Sequence, residues 1–284
     1  GVPACWPGAP CRRFGVGPFD RGTSAPILRR LIPFLMSLSV LHIVVAALMT
    51  FLGSTVLGSV GFGMGMTATP VMLLVLDPQT VVIVVNTVSL AVFGLIIFRD
   101  RAQLPAREMT SVSIAGLLGV PVGVLLLDAA SASFLRIGIT VAIIFLAISV
   151  ASKARVPLPR SDLIGPPVGF IVGVLLTSLA IGGPLMALFL LNRDWSKDAV
   201  RTSLALYFLA VEGSGVVGYA VGGMFTLERI VLVLAVTVPV LMGFALATLL
   251  VRRMNERIFH NAVVVVIIST SIMVLAREVL RLGV

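Results

Sequence analysis

Long apolar runs separated by short polar breaks make up most of the sequence after residue 30. Crossing a hydrocarbon core of ~30 Å takes about 20 residues of α-helix, and eight runs are close to or above that length. They are Leu31 to Val60, Thr80 to Phe98, Met109 to Leu127, Leu135 to Ala151, Leu163 to Ile181, Val200 to Val221, Ile230 to Val251 and Ile258 to Ala276. The pattern predicts an all-α polytopic membrane protein.

A shorter apolar run, Pro184 to Leu191, follows the glycine pair Gly182 and Gly183. Its eight residues reach only ~12 Å at ~1.5 Å per residue, so the run predicts a half-helix. Proline fits the first turn of a helix, because its missing N–H would be unpaired there. We therefore expect this half-helix to begin at Pro184. Inside a membrane, its free N–H groups and positive dipole end would favour an anion.

The first part of the chain has a matching short run, Pro70 to Leu76, after a glycine-rich break. This run predicts another half-helix, the first along the chain, with Thr69 as its N-cap and Pro70 as its first residue. Each half-helix is then followed by a polar turn and by a polar pair at or near the start of the next span. The pairs are Asn86 with Thr87 and Arg201 with Thr202.

The order of these elements predicts two repeats. Each consists of a broken or re-entrant helical hairpin and three further transmembrane helices. The first repeat covers 31–152, the second covers 163–284, and a loop at 153–162 joins them. Residues 1–30 form a basic tail without apolar periodicity, which predicts disorder. We leave the tail outside the fold, because Met36 offers an alternative start.

The distribution of cations predicts the orientation of the repeats. Four loops hold three Lys or Arg each, 12 of the 21 in the chain, and such loops are cytoplasmic as a rule. They are Arg99 to Arg107, Lys153 to Arg160, Arg193 to Arg201 and Arg252 to Arg257. Because basic loops flank both ends of 163–191, that segment must enter and return on one side.

Three further crossings, an odd number, then make the two repeats antiparallel in the membrane, with both half-helices starting near the midplane. The cation-poor loops around Asp128 and Glu228 are predicted outside. The five arginines of the tail disagree with this topology, which leaves open that the first hairpin is a single broken span.

Composition narrows the function classes. The chain is 58% hydrophobic and only 12% charged, against about 25% charged residues in soluble domains. Its net charge of +9 is spread over loops rather than along one basic face, which argues against nucleic-acid binding. Both cysteines lie in the tail and cannot staple the fold. The spans hold few titratable side chains beyond Glu212, His42 and Arg201, too few for a membrane-embedded enzyme.

The sequence around both breaks resembles the sulfite exporter TauE/SafE family of bacterial transporters. The resemblance is carried by Gly61-Phe62-Gly63-Met64-Gly65 with Pro70, and by Ile181-Gly182-Gly183-Pro184 with Arg201-Thr202-Ser203-Leu204-Ala205. The first break departs from the family, because Phe62, Met64 and Met66 add bulk where glycine is expected. The resemblance implies a multi-pass carrier of the bacterial inner membrane for small sulfur-containing anions such as sulfite or organosulfonates.

We predict an anion exporter, because a membrane potential that is negative inside drives anions outward without a coupling ion. An anion channel and a proton-coupled importer remain alternatives. The predicted substrate-binding residues are Gly63, Gly65, Thr67, Thr69, Pro70, Asn86, Thr87, Gly182, Gly183, Pro184, Arg201 and Thr202, and Glu212 is the candidate for proton coupling. The expected partners are the anion and the bilayer, with a homodimer left open, and no cofactor or metal is expected.

Each candidate also has a structural interpretation. The glycines could serve only to let helices pack closely, and Arg201 could snorkel to the membrane interface. Asn86 and Thr87 could bridge helices, and Glu212 could cap a broken helix. The sequence alone does not decide between these interpretations and the functional ones.

Overall fold

The computed structural model describes residues 40–99, 106–151, 164–191 and 197–250, which form nine helices. They are α1 (Val40–Val60), α2 (Met64–Met72), α3 (Pro78–Arg99), α4 (Ala106–Ala129), α5 (Ala132–Ala151), α6 (Gly165–Leu179), α7 (Gly183–Leu191), α8 (Lys197–Val221) and α9 (Leu227–Leu250). Five of these, α1, α3, α4, α8 and α9, are long and apolar enough to cross a membrane. The predicted all-α polytopic fold is confirmed for this part of the chain.

Several predicted segments lie outside the described residues. They are the tail at 1–30, the whole of the loop at 153–162, the polar turn after α7, and the last span, Ile258 to Ala276. The helix α6 has 15 residues and extends about 22 Å at ~1.5 Å per residue, less than the ~30 Å hydrocarbon core. Such a short helix before the half-helix α7 is what a re-entrant hairpin requires.

The helix bounds around the two breaks follow one register. The half-helices α2 and α7 begin at Met64 and Gly183, which are 119 residues apart. The spans that follow them, α3 and α8, begin at Pro78 and Lys197, again 119 residues apart. This register gives the residues from the end of α1 through α3 an equivalent in the second half, which residue types alone do not supply; the next helices, α4 and α9, begin 121 residues apart.

The two halves pack through equivalent helices that run in opposite directions. On α3 and α8, Ser89 contacts Glu212, and the ring of Phe93 lies 5.3 Å from that of Phe208. Later residues of α3 therefore meet earlier residues of α8, so the two helices are antiparallel. This is the direction that an inverted repeat predicts for equivalent spans.

The first helix of each half packs on the second span after the half-helix of the other half, so α1 lies against α9 and α6 against α4. Both contacts are made close by small residues, as is common between membrane helices. A β-carbon placed at Gly58 would lie 2.7 Å from that of Ala247, and one at Gly119 would lie 2.5 Å from the Phe170 carbonyl oxygen. Each break thus follows a helix, α1 or α6, that is closely packed against the other half.

Cysteine labelling tests the inverted topology. A cysteine at Ser131 or Thr226, both exposed between helices, should react only with a reagent added outside. A cysteine at Ser196 or Asn255, which lie outside the described residues, should react only from the cytoplasm. The native cysteines are first replaced by serine. Labelling of position 196 from outside would rule out the hairpin and, with it, the inverted repeat.

Candidate functional site

The two helix breaks touch each other in the interior of the protein. A β-carbon placed at Gly65 would collide with the backbone carbonyl oxygen of Ala180. One placed at Gly183 would lie 2.8 Å from the β-carbon of Phe62. The start of each half-helix is therefore in direct contact with the break of the other half, and glycine permits that contact at both points.

Left-handed backbone conformations produce the breaks. Gly61 (φ 93°) and Gly63 (φ 105°) follow α1, and Ala180 (φ 57°) follows α6. Gly61 and Ala180 are equivalent in the 119-residue register, so the chain turns in the same way after both helices. A left-handed conformation is costly for a residue with a β-carbon, and alanine here shows that the surrounding packing enforces the turn.

The predicted start of the first half-helix is wrong. The helix α2 begins at Met64 with Gly63 as its N-cap, and both Thr69 and Pro70 lie inside it. The left-handed Gly63 ends the irregular segment, so the helix forms before the proline is reached. Pro70 is the seventh residue of α2, so its missing N–H leaves the Met66 carbonyl without its intrahelical donor. The start of α7 was predicted to within one residue, since Pro184 is its second residue.

Both half-helix starts have backbone donors without an acceptor in their own helix. The first helical bonds run from the Thr67 N–H to the Gly63 carbonyl (3.0 Å) and from the Met186 N–H to the Gly182 carbonyl (3.1 Å). The N–H groups that precede Thr67 and Met186 are free of such bonds, as at any helix start. No side chain caps α2 at Gly63. The two starts therefore present donors and two positive dipole ends.

A cavity of about 30 Å³ lies where the breaks meet. Its lining includes Gly63 and Gly65 from one break, and Gly182, Gly183 and Pro184 from the other. One water needs about 10–15 Å³, so the cavity has room for about two. Among its lining residues, all in the described part of the chain, Ser89 on α3 and Glu212 on α8 have polar side chains.

A family model described as sulfite exporter TauE/SafE matches residues 45–274, which include both breaks and both sides of the cavity. The chain belongs to the sulfite exporter TauE/SafE family. The resemblance inferred from the break sequences is thereby confirmed, and membership implies a multi-pass membrane transporter for sulfur-containing anions. No curated protein and no solved structure shows significant similarity to the chain.

The structure of this TauE/SafE transporter brings only some of the predicted site residues together. Five of the twelve predicted substrate-binding residues line the cavity: Gly63, Gly65, Gly182, Gly183 and Pro184. Glu212, the candidate for proton coupling, lines it too. The other seven are not among the lining residues: Thr67, Thr69, Pro70, Asn86, Thr87, Arg201 and Thr202.

Three of the predicted polar residues outside the lining, Thr67, Thr87 and Thr202, bond or pack within the helices around the cavity. The Thr67 hydroxyl donates to the Gly63 carbonyl (2.9 Å), and the Thr87 hydroxyl donates to the Ile83 carbonyl (2.6 Å). Both bonds stay within one helical turn. Thr202 is fully buried within α8.

Asn86 and Arg201 each hold the end of a helix that leads into a break. The Asn86 amide donates to the Leu176 carbonyl in the last turn of α6 (2.9 Å) and to the Tyr219 hydroxyl (3.0 Å). The Arg201 guanidinium donates to the Gly58 carbonyl in the last turn of α1 (2.6 Å). Gly58 lies in the last turn of α1, where carbonyls lack an intrahelical donor, whereas the Leu176 carbonyl also accepts from the Ala180 N–H (2.9 Å). These contacts match the helix-bridging interpretation of Asn86.

The pairing of Asn86 with Arg201 does not follow the structural register. These residues are 115 positions apart, whereas the helix bounds repeat at 119. The equivalent of Asn86 is Ala205 and that of Arg201 is Val82. Matching the halves by polar residue types therefore shifted the alignment by about one helical turn. The two residues are still alike in that each supports the break of the opposite half.

Ser89, Phe93 and Phe208 are among the lining residues that sequence reasoning missed. The signal that identifies them is spacing, because residues four apart share one face of a helix. Phe208 lies four residues before Glu212, and Ser89 lies four before Phe93 and three after Asn86. In the 119-residue register, Ser89 is equivalent to Phe208 and Phe93 to Glu212.

Proposed function

We propose that the protein exports small sulfur-containing anions, such as sulfite or organosulfonates, across the bacterial inner membrane. The observation that supports this proposal is that two half-helix starts line one interior cavity. Their free N–H groups and dipole ends favour negative charge, and the surrounding apolar side chains strengthen that preference. Alternating access would arise as two inverted repeats move against each other around this cavity.

The volume of the cavity supports a small substrate. Phe62, Met64 and Met66 stand where the family resemblance leads us to expect glycine, and all three line the cavity. Their side chains occupy space that would otherwise be open. An anion of a few non-hydrogen atoms is therefore a better fit than a long-chain sulfonate.

The membrane potential supports export. At 100 mV, negative inside, each negative charge that moves outward gains ~2.3 kcal/mol. An exporter therefore needs no coupling ion, whereas an importer must spend another gradient. A proton-coupled importer remains the second candidate, because Glu212 lies in the lining itself.

Transport by purified protein in liposomes tests the function. Vesicles loaded with sulfite should show saturable efflux, and sulfite outside should accelerate the efflux of labelled sulfite. Such counterflow separates a carrier from a channel, which lacks it. The matched arms replace sulfite by thiosulfate, sulfoacetate, sulfate or a short carboxylate. A preference for carboxylates over all sulfur-containing anions, or flux without counterflow, would contradict the proposal.

A further inference from the structure

We infer that the Glu212 carboxylate binds a proton whenever an anion occupies the cavity, so that one proton crosses the membrane with each anion. The inference rests on the proposed function and adds a proton site to it. Glu212 lies in the lining beside the glycines of both breaks and is only 4% exposed. The Ser89 hydroxyl donates to its Oε2 atom and fixes the carboxyl group there.

The repeat argues that Glu212 is not needed for packing. Its equivalent in the first half is Phe93, and the equivalent of its partner Ser89 is Phe208. The rings of Phe93 and Phe208 pack against each other at an angle of 45°, on the same two helices as the Ser89–Glu212 contact. One half of the cavity wall thus fills this position with an aromatic ring, while the other half has a carboxyl group. A buried carboxyl at a position where an aromatic ring suffices indicates a function.

The described surroundings supply no cation at the cavity that would balance an ionised Glu212. The segments α6 and α7, which pack against α8, contain no titratable residue. The helices α3 and α4 also pack against α8, and their charged residues lie near the helix ends. These residues are Arg99, Arg107, Glu108 and Asp128. On α8 itself, Arg201 donates to the Gly58 carbonyl, and Tyr207 and Tyr219 donate to the carbonyls of Gly169 and Thr177.

An ionised Glu212 and an anion would therefore repel each other within one small cavity of low polarity. A proton on Glu212 removes that repulsion and provides an O–H group that can donate to the anion. When anion and proton leave on the other side, the carboxylate is restored and can accept the next proton. A monoanion then moves without net charge, and a dianion moves with one negative charge. For a dianion, the membrane potential still favours export.

Proteoliposomes with the membrane potential clamped at zero test this coupling with sulfite as the probe. In the wild type, an inward proton gradient should accumulate sulfite against its own gradient. Glu212→Gln has a neutral amide that can still donate to the anion, so gradient-driven accumulation, divided by the variant's own rate of sulfite–sulfite exchange, should fall by at least about tenfold relative to the wild type. Exchange in the same vesicles reports the proposed function separately from the coupling. Proton movement caused by transport of bisulfite itself would occur in both the wild type and Glu212→Gln, so it does not affect the difference between them.

Glu228→Gln is the matched control, because Glu228 is an exposed carboxylate in the first turn of α9. It should behave as the wild type in both assays. Ser89→Ala serves as a second variant if Glu212→Gln does not fold. It should retain exchange and move the midpoint of its pH profile to higher pH, since alanine cannot donate to the carboxylate.

Wild-type accumulation by Glu212→Gln, or an unmoved pH profile in Ser89→Ala, would overturn the inference while leaving the transporter function intact. Absence of sulfite exchange in the wild type would overturn both.

Discussion

Replacing Gly65 by alanine is expected to abolish anion transport, although the change adds only one methyl group. That methyl group would collide with the Ala180 carbonyl oxygen, which belongs to the backbone of the opposite break and cannot turn away. The two half-helix starts must then separate, at a cost of about 1–3 kcal/mol for overpacking. Flux in proteoliposomes and thermal unfolding in detergent measure the two effects.

Gly94→Ala is the control, because a β-carbon at Gly94 meets nothing within 4 Å. Both glycines lie inside helices, where alanine is ordinarily the more stable residue by about 0.5–1 kcal/mol. Gly94→Ala should therefore leave transport unchanged and raise stability slightly. Transport by Gly65→Ala at the wild-type rate would show that contact between the breaks is not needed for function.

Gly183→Leu fills the cavity from the side of the second break. Its β-carbon would lie 2.8 Å from the β-carbon of Phe62, so the two breaks must shift apart to accommodate it. The variant should still reach the membrane, but its bulk should occupy the space in front of the free N–H groups of α7. Loss of flux, together with a stability loss of about 1–3 kcal/mol for overpacking, is the expected result. Wild-type flux would place the anion site elsewhere.

The sequence predicted the helices well where length and hydropathy decide. Apolar runs mark α3, α4, α8 and α9 to within a few residues, because a membrane span must satisfy its own backbone hydrogen bonds. It also predicted a break in each half from glycine and proline. Local chemistry suffices for these features, since each depends on residues close together in the chain.

The start of α2 could not be predicted in the same way. The proline rule works at Pro184, where two glycines directly precede the proline. At Pro70 the controlling residue is Gly63, seven positions earlier, whose left-handed conformation begins the helix. Several glycines in that break could have taken this conformation, and only the packing against Ala180 and Val56 distinguishes them.

The cavity wall was the hardest part to predict. Ser89 and Phe208 belong to apolar spans, where spacing shows which helix face they share but not which helix that face meets. They become neighbours across the wall only because α3 and α8 run antiparallel. Matching the halves by polar residues paired Asn86 with Arg201, a shift of four residues. Matching the halves by helix bounds would have made Phe93 the equivalent of Glu212. That comparison would have identified Glu212 as a carboxyl group at a position where the other half has an aromatic ring.

Arg201→Gln is expected to destabilise the protein and to leave the affinity for the anion nearly unchanged. The Arg201 guanidinium donates to the Gly58 carbonyl, and its side chain packs so closely on Gly61 that a β-carbon there would lie 2.9 Å from the Arg201 γ-carbon. A hydrogen bond from a charged group contributes about 1.5–3 kcal/mol, which is the expected loss in the free energy of unfolding. Thermal unfolding and the half-saturating sulfite concentration measure the two quantities.

The conservative variant and a control sharpen this expectation. Arg201→Lys keeps the positive charge and most of the stem, so it should recover part of the stability. Arg99→Gln removes an exposed arginine at the end of α3 and should change neither quantity. If Arg201 instead binds the anion, Arg201→Gln should weaken the affinity by roughly 10- to 150-fold at 1.4 kcal/mol per decade while the unfolding temperature stays constant. That result would return Arg201 to the anion site, and it would require the bound state to bring the guanidinium from the end of α1 to the cavity.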